Sequence, residues 1–230
     1  MQINRTDINT FGAKLIGRNI SNNRMSSNYT WEYSFDRPTF YGSSLDFKDV
    51  QLTMLFQANN EETFLKNYGK ISEMFRKGAD VKFKDISYTY KMYLKQKAEY
   101  EKLNTKWYKV EFTLDGDFGL SSLKEFEVTE NTQLVVKNNG TYATPARIEI
   151  TFTGTHNNFT ITGFEHSIKL KDVASGKVFA IDGATGDIEY DGRNGIDKFV
   201  GWYLPKLPVG TTTIVSSEPC TMRVTFQERY

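Results

Sequence analysis

The sequence predicts a mainly β protein with a single helix, and three observations carry the prediction. Apolar and polar residues alternate over many short runs, the pattern of strands with one buried face. In the last third of the chain these runs are separated by Asp182-Gly183, Asp191-Gly192, Asn194-Gly195 and Pro208-Val209-Gly210. Such dipeptides reach the positive backbone angles of tight hairpins, because Gly has no Cβ and Asn or Asp tolerates the left-handed region. Finally, the 230 residues include 17 Phe, 13 Tyr and 3 Trp, side chains that suit strands and interfaces.

Taken in order, Ala13–Ile16 and Trp31–Phe35 are short strand candidates separated by the polar stretch Ser21–Asn28. Phe47–Phe56 reads as a half-buried strand, with Val50, Leu52, Met54 and Phe56 on one face. One helix follows, over about residues 60–77. Asn59 is placed to cap it, with Glu62 three residues on as in a capping box. Phe64, Leu65, Tyr68, Ile71 and Phe75 recur at helical spacing and predict its buried face. Arg76-Lys77-Gly78 closes it with cations that suit the dipole and a glycine that suits the C-cap.

Val81/Phe83, Tyr88/Tyr90/Met92/Leu94 and Tyr108/Val110/Phe112/Leu114 alternate as further strands. Between the last two, Lys95–Lys106 is either a loop or a long exposed hairpin tip. The glycines of Asp115-Gly116-Asp117-Phe118-Gly119 interrupt the pattern, which sets a domain boundary after residue 120. Residues 121–230 read as strand and turn throughout. Ala146/Ile148/Ile150/Phe152 alternates most regularly, followed by Phe159/Ile161, Ile168/Leu170, Val178/Ala180, Ile188/Tyr190, Thr213/Val215 and Met222/Val224/Phe226. Even spacing of short strands suits a sandwich, and the turn residues suggest a meandering antiparallel sheet at the C-terminus.

Charge and composition remove several classes of function. The formal charge is +1, from 29 basic and 28 acidic residues, so no basic excess points to nucleic acid. No apolar run approaches the ~20 residues of a membrane helix, and the N-terminus lacks a signal-peptide core. The lone Cys220 in an alternating strand reads as a small buried apolar residue of a protein made in a reducing cytoplasm.

Catalytic and metal-binding patterns are missing. His156, in the His156-Asn157-Asn158 turn, and His166 have no nucleophile or carboxylate in a recognisable setting. Asp182, Asp187, Asp191 and Asp197 lack calcium-loop spacing, and Asp before Gly is turn chemistry. Glu61-Glu62 reads as helix-start charge, and no phosphate-loop glycine pattern occurs. The expectation is a protein that is not an enzyme, with no cofactor and no metal.

The order of the last fifty residues carries a resemblance. A Gly176-x-x-x-x-Ile181-Asp182 strand, a hairpin with Asp191-Gly192 and Asn194, a Leu204-Pro205-x-Leu207-x-x-Gly210 turn and a last strand ending Arg229-Tyr230 resemble the C-terminal domain of phage distal tail (Dit) proteins, baseplate hub components of long-tailed phages of Gram-positive bacteria. The order of strands, one helix, strands, a Gly-rich junction and a sandwich follows the Dit plan over the full length. The resemblance implies an N-terminal ring-forming β-rich domain over 1–120 and a C-terminal galectin-like antiparallel β-sandwich over 121–230. It also implies a homo-hexameric ring at the virion's tail tip, assembled in the host bacterial cytoplasm. Its implied partners are the tail tube protein, a tail-associated hub or lysin protein and, at the periphery, receptor-binding proteins.

The rival function is a carbohydrate-binding adhesion module contacting the host cell wall, and a phage-derived bacteriocin tail would use the equivalent component. Galectin-type sites stack sugar on a Trp beside His, Asn, Arg and Glu, which makes Trp202, with His156 and Asn157 upstream, the one ligand-binding candidate. The Arg after the His-Asn pair and the Trp-Gly-x-Glu order are missing. The apolar run Trp202-Tyr203-Leu204-Pro205 therefore reads as core or interface.

Overall fold

Antiparallel pairing organises both halves of the chain, and among the described residues a single α-helix interrupts it. The computed structural model describes residues 1–30 and 39–230; the strand expected at Trp31–Phe35 lies outside them. The chain divides into two units, Met1–Gly119 and Leu120–Tyr230.

The first unit contains β1 (Gln2–Ile3), β2 (Thr6–Asp7), a 3-10 turn at Ile8–Phe11, β3 (Ala13–Thr30), β4 (Thr39–Gln57), α1 (Glu61–Arg76), β5 (Ala79–Lys82), β6 (Thr89–Leu94), β7 (Glu99–Lys102) and the first part of β8 (Trp107–Asn138). The strand order is β3-β4-β8-β6-β5-β1-β2, with β7 also on β8. β4 pairs with β8 from Lys48↔Gly116 to Gln57↔Trp107. That register puts Val50, Leu52, Met54 and Phe56 on the same buried face as Tyr108, Val110, Phe112 and Leu114. Lys95–Lys106 is a hairpin: β7 pairs with β8 from Glu99↔Glu111 to Lys102↔Tyr108.

Asn60, one residue later than expected, caps α1; its Oδ1 accepts the Thr63 N–H at 2.8 Å. At the other end Gly78 takes φ +84°, a left-handed conformation that lets the chain turn out of the helix. Arg76 (2.7 Å) and Lys77 (3.2 Å) on Glu73 hold that carboxyl down to about 2. Phe64, Ile71 and Phe75 are fully buried, and Tyr68 packs partly against them. The Phe64 ring lies flat on Tyr108, centroids 4.0 Å apart, with Tyr100 at 5.0 Å and Phe56 at 5.6 Å. Leu65 departs from the expected face and is 43% exposed. One residue is a rotation of about 100°, enough to turn it off a stripe centred on Phe64.

The polar stretch 21–28 does not end a strand, because β3 continues through it beside β4 as far as Thr30↔Thr39. Nor do the glycines of 115–119 interrupt β8, which is continuous from Trp107 to Asn138. They serve close approach instead. A Cβ on Gly116 would sit 2.8 Å from Val50 Cγ2, and one on Gly119 would sit 2.6 Å from Tyr88 Cδ2.

The second unit contains the rest of β8, then β9 (Thr144–Phe152), β10 (His156–Thr162), β11 (Ile168–Val173), β12 (Val178–Asp182), β13 (Ile188–Tyr190), β14 (Arg193–Asn194), β15 (Lys206–Leu207) and β16 (Gly210–Arg229). Its main order is β14-β13-β12-β9-β16-β8, with β10 joining β11 to β16 and β15 on β9. Only β12-β13-β14 is a meander. The last strand lies between β8 and β9, so residues distant in sequence close the sheet. Between Val215 and Cys220 the register of β16 shifts. This bulge falls at Ser217-Glu218-Pro219, where Pro has no N–H to donate.

Before the bulge β16 pairs with β10 through Ile161↔Ser216; after it, with β9 from Cys220↔Phe152 to Phe226↔Ala146. Inward residues from all these strands, among them Ile148, Ile150, Phe159, Ile161, Leu170 and Met222, form one core. Cys220 is buried in it, and burial pushes its thiol up. Two strand phases differ from expectation by one residue. Phe179 and Ile181 are fully buried and Ala180 is buried with them, while Val178 is 40% exposed; Ile214 rather than Val215 faces the core.

Asp191 (φ +52°) and Gly192 (φ +75°) form the two-residue turn joining β13 to β14. Asn194-Gly195 instead ends β14, with the Asn194 carboxamide oxygen accepting the Ile196 N–H at 3.0 Å. Pro208-Val209-Gly210 carries the chain from β9's partner β15 to β8's partner β16 and closes no hairpin.

Candidate functional site

The segment from Gly195 to Pro205, between β14 and β15, concentrates exposed apolar side chains. Ile196, Val200, Trp202, Tyr203 and Leu204 are all exposed, and Trp202 reaches 95%. Of the two readings of Trp202, core or interface, this corrects the first: its own unit does not bury it. The local reason is where the backbone bonds lead. The Val200 N–H donates to the Lys169 carbonyl (2.8 Å) and the Lys171 N–H to the Lys198 carbonyl (2.9 Å), laying residues 198–200 along β11. Five residues on, the Ala146 N–H donates to the Pro205 carbonyl at 3.1 Å, and Pro205 is buried. Between these anchors the chain must bridge from one strand to another, with Gly201 giving it freedom to turn. Phe199 points inward and packs on the core; Trp202, three residues later, points out.

The loop is braced by contacts that sequence did not disclose. Tyr203 stacks on His166 with centroids 3.8 Å apart at 24°. The Lys198 ammonium lies 5.5 Å from the centre of the Tyr190 ring, a cation–π contact, and 3.8 Å from Asp197. Lys206 pairs with Glu165 at 3.2 Å. Adjacent aromatics and the lone His166 were the available signal, but nothing in their spacing brings residue 166 to residue 203.

The residues weighed as Trp202's sugar-binding companions are elsewhere. His156 is no turn residue: it opens β10 opposite Val173, with its Nε2 buried and without a hydrogen bond. Val200 meets β11 at Lys169, four residues or about 13 Å of strand from Val173, and the loop then runs on away from it. His156 and Asn157 are therefore not brought to Trp202.

The four aspartates do local work. Asp182 Oδ1 accepts the Ala184 N–H (2.7 Å), and Asp187 accepts the Thr185 hydroxyl (2.7 Å). Asp191 pairs with Lys177 at 2.6 Å, and Asp197 with Lys198 as above. Among the described residues no group of three or more His, Cys, Asp or Glu is disposed to hold a metal ion. None of the described helices is long and apolar enough to cross a membrane.

A buried polar network lies at the end of β16. Glu228 is 3% exposed and accepts hydrogen bonds from the Asn139 N–H (3.0 Å), the Asn139 amide (2.9 Å) and the Tyr230 hydroxyl (2.9 Å). Burial pushes its carboxyl up, and these donors outweigh burial and leave it below the usual range. Asn138, 2% exposed, donates to the Tyr142 and Pro208 carbonyls and accepts the Gly140 N–H. These bonds hold the β8–β9 connection against the C-terminus.

Among curated proteins, none matches the sequence. Residues 139–230 match the family described as siphovirus-type tail component, C-terminal domain. Among solved structures, the chain resembles the SPP1 Dit (gp 19.1) protein, described as a paradigm of the hub adsorption apparatus in phages infecting Gram-positive bacteria. The TM-score is 0.78 at 13% identity, covering 99% of this chain and 97% of that one. A chain of the phage p2 baseplate in its activated conformation with Sr matches at TM-score 0.51 and 6% identity, covering 97% of this chain and 93% of that one. At these identities the likeness is one of fold. Residues 139–230 thus match the siphovirus-type tail component domain, and the chain as a whole is similar in fold to the SPP1 Dit protein.

Proposed function

We propose that the protein is a structural hub component of a long-tailed phage, forming a homo-hexameric ring at the distal tip of the tail. The N-terminal unit builds the ring, and the galectin-like C-terminal unit projects from it. One face of the ring meets the tail tube protein and the other the tail-associated hub or lysin protein, while receptor-binding proteins dock at the periphery. The observation that carries this reading is the full-length likeness to the SPP1 Dit hub protein, joined to the tail-component family match over 139–230.

The edge of the N-terminal sheet supports it. Among the described residues β3 pairs with β4 alone, and the β3–β4 ladder continues beyond Lys48, where β4 leaves β8, as far as Thr30↔Thr39. A two-stranded ribbon is marginal in water and its open edge invites another chain, so a neighbouring copy is a natural source of support. Heterologous contacts of that kind close into a ring when the rotation between neighbours divides a full turn. No catalytic role is proposed for any group.

The exposure of Trp202 is the observation in favour of the carbohydrate-binding reading. The separation of His156 and Asn157 from it counts the other way, because a sugar site needs polar groups that converge on the aromatic. Light scattering and negative-stain imaging of the purified chain test the ring. Six copies around a central hole are expected, either alone or with tail partners. A stable two-fold dimer under all conditions overturns the reading.

A further inference from the structure

Two surface features of this chain are uncompensated within it. The first is Trp202, almost wholly in water on a loop held at both ends. Leaving such a ring exposed forgoes the burial of a large apolar surface. The second is Gly69, in the interior of α1, where glycine costs about 1 kcal/mol against alanine. Nothing among the described residues requires it, since a Cβ there would meet no atom within 4 Å. Gly69 lies in a groove of about 570 Å³ lined also by Leu65 and Met74, by the exposed Lys66 and Lys70, and by the Glu73 and Lys77 ion pair. Leu65 is the residue that turned away from the core, and methionine adapts readily to what packs on it.

We propose that Trp202 of one copy inserts into this α1 groove of a second copy. The features are complementary in shape, one a projecting ring and the other an apolar hollow. Charge adds to the fit: Lys66 and Lys70 enter none of the ion pairs described, and the loop's Asp197 carboxylate stays 69% exposed although Lys198 lies 3.8 Å away. A lysine ammonium over an indole face adds attraction of its own. The exposed aliphatic neighbours Ile196, Val200 and Leu204 favour a protein over a saccharide, because sugar rings gain from aromatic faces and polar groups rather than from branched aliphatics. Knob and hollow lie at different places on the chain, so the contact is head-to-tail and leaves one of each free for the next copy. It rests on the ring reading for its closure into a hexamer.

The test uses the full-length chain. Trp202→Cys and Gly69→Cys are made as separate variants, mixed and oxidised; Cys220 is buried and does not compete. A disulfide-linked pair containing one of each variant is expected, well above the dimer either forms alone. In parallel, Trp202→Ala, with an unchanged thermal unfolding midpoint, and Gly69→Leu, which fills the hollow and whose better helix former leaves the midpoint no lower, are each expected to weaken association at least tenfold. Combining them is expected to add little, since both remove one contact. Mixed variants that do not cross-link, with both substituted chains assembling like wild type, overturn the inference while leaving the ring intact. A wild type that stays monomeric with tail partners present overturns both. Trp202-dependent retention on purified cell wall, with assembly unaffected, assigns the loop to a saccharide and overturns the inference.

Discussion

Helix α1 and the 195–205 loop are both dense in large apolar side chains, yet one buries them and the other does not. On α1, Phe64, Ile71 and Phe75 are fully buried and Phe64 lies against Tyr108 at 4.0 Å. On the loop, Trp202 stands 95% exposed. The difference lies in periodicity. A helix repeats every 3.6 residues, so apolar residues at that spacing share one face and must be buried together or exposed together. A loop has no repeat, and the direction of each side chain follows from where its backbone bonds are made. Hydrophobicity alone decides burial only where a regular element aligns it.

The sharpest way to break this comparison is to truncate inside the helix stripe. Phe64→Ala is expected to destabilise the first unit by about 3–5 kcal/mol and Ile71→Ala by about 2–5 kcal/mol, as for filled core positions. Leu65→Ala, although adjacent, is expected to cost less than about 0.5 kcal/mol, as a surface change does. Urea unfolding monitored by circular dichroism separates these outcomes. Equal losses for Leu65→Ala and Ile71→Ala would return Leu65 to the core face and remove the contrast.

If the loop adds little to the second unit, the end of β16 must be secured elsewhere, and Glu228 is the group placed to do it. Glu228→Gln is expected to cost about 1.5–3 kcal/mol at neutral pH, the range for hydrogen bonds to a charged group. The sign of the pH dependence follows from the depressed native value. The unfolded carboxyl titrates near its ordinary value of about 4.3 and the folded one lower. The stabilisation is therefore full above that ordinary value and is lost as pH falls through the folded one. The gap between wild type and Glu228→Gln should narrow in that acid window. A gap that persists unchanged at lower pH would mean the amide fails by shape rather than by charge.

Much of the architecture was legible because it is periodic. The alternation at 50–56, 108–114 and 146–152 located three central strands, and Asp191-Gly192 located a hairpin turn, since these signals are local. Even buried polar groups left a trace. Glu228 continues the inward series Met222, Val224, Phe226, and Lys48 continues Val50, Leu52, Met54 in the other direction; both are buried. The glycines at 116 and 119 misled because glycine serves a turn and a close approach equally well, and only the opposing Val50 and Tyr88 decide which. The place of β16 between β8 and β9 and the meeting of His166 with Tyr203 depend on contacts between distant residues. No spacing rule encodes those. The candidate site was legible only as a residue, Trp202, and not as an environment.

Trp202 gives the smallest expected effect and the most direct check of the comparison. Its ring touches solvent on nearly all sides, so Trp202→Ala removes little packing and should change the unfolding free energy by less than about 0.5 kcal/mol. Phe199, three residues earlier in the same loop, packs on the core and bridges to Leu170. Phe199→Ala should cost more than Trp202→Ala, although phenylalanine is the smaller ring. Acrylamide quenching supplies an independent reading, because an exposed indole is quenched readily and that fraction of the fluorescence should disappear in Trp202→Ala. A loss of about 3–5 kcal/mol on truncating Trp202, the cost of removing a buried ring, would place it in the core of its own unit. The loop would then be part of the fold, and the contrast with α1 would reduce to a difference in secondary structure alone.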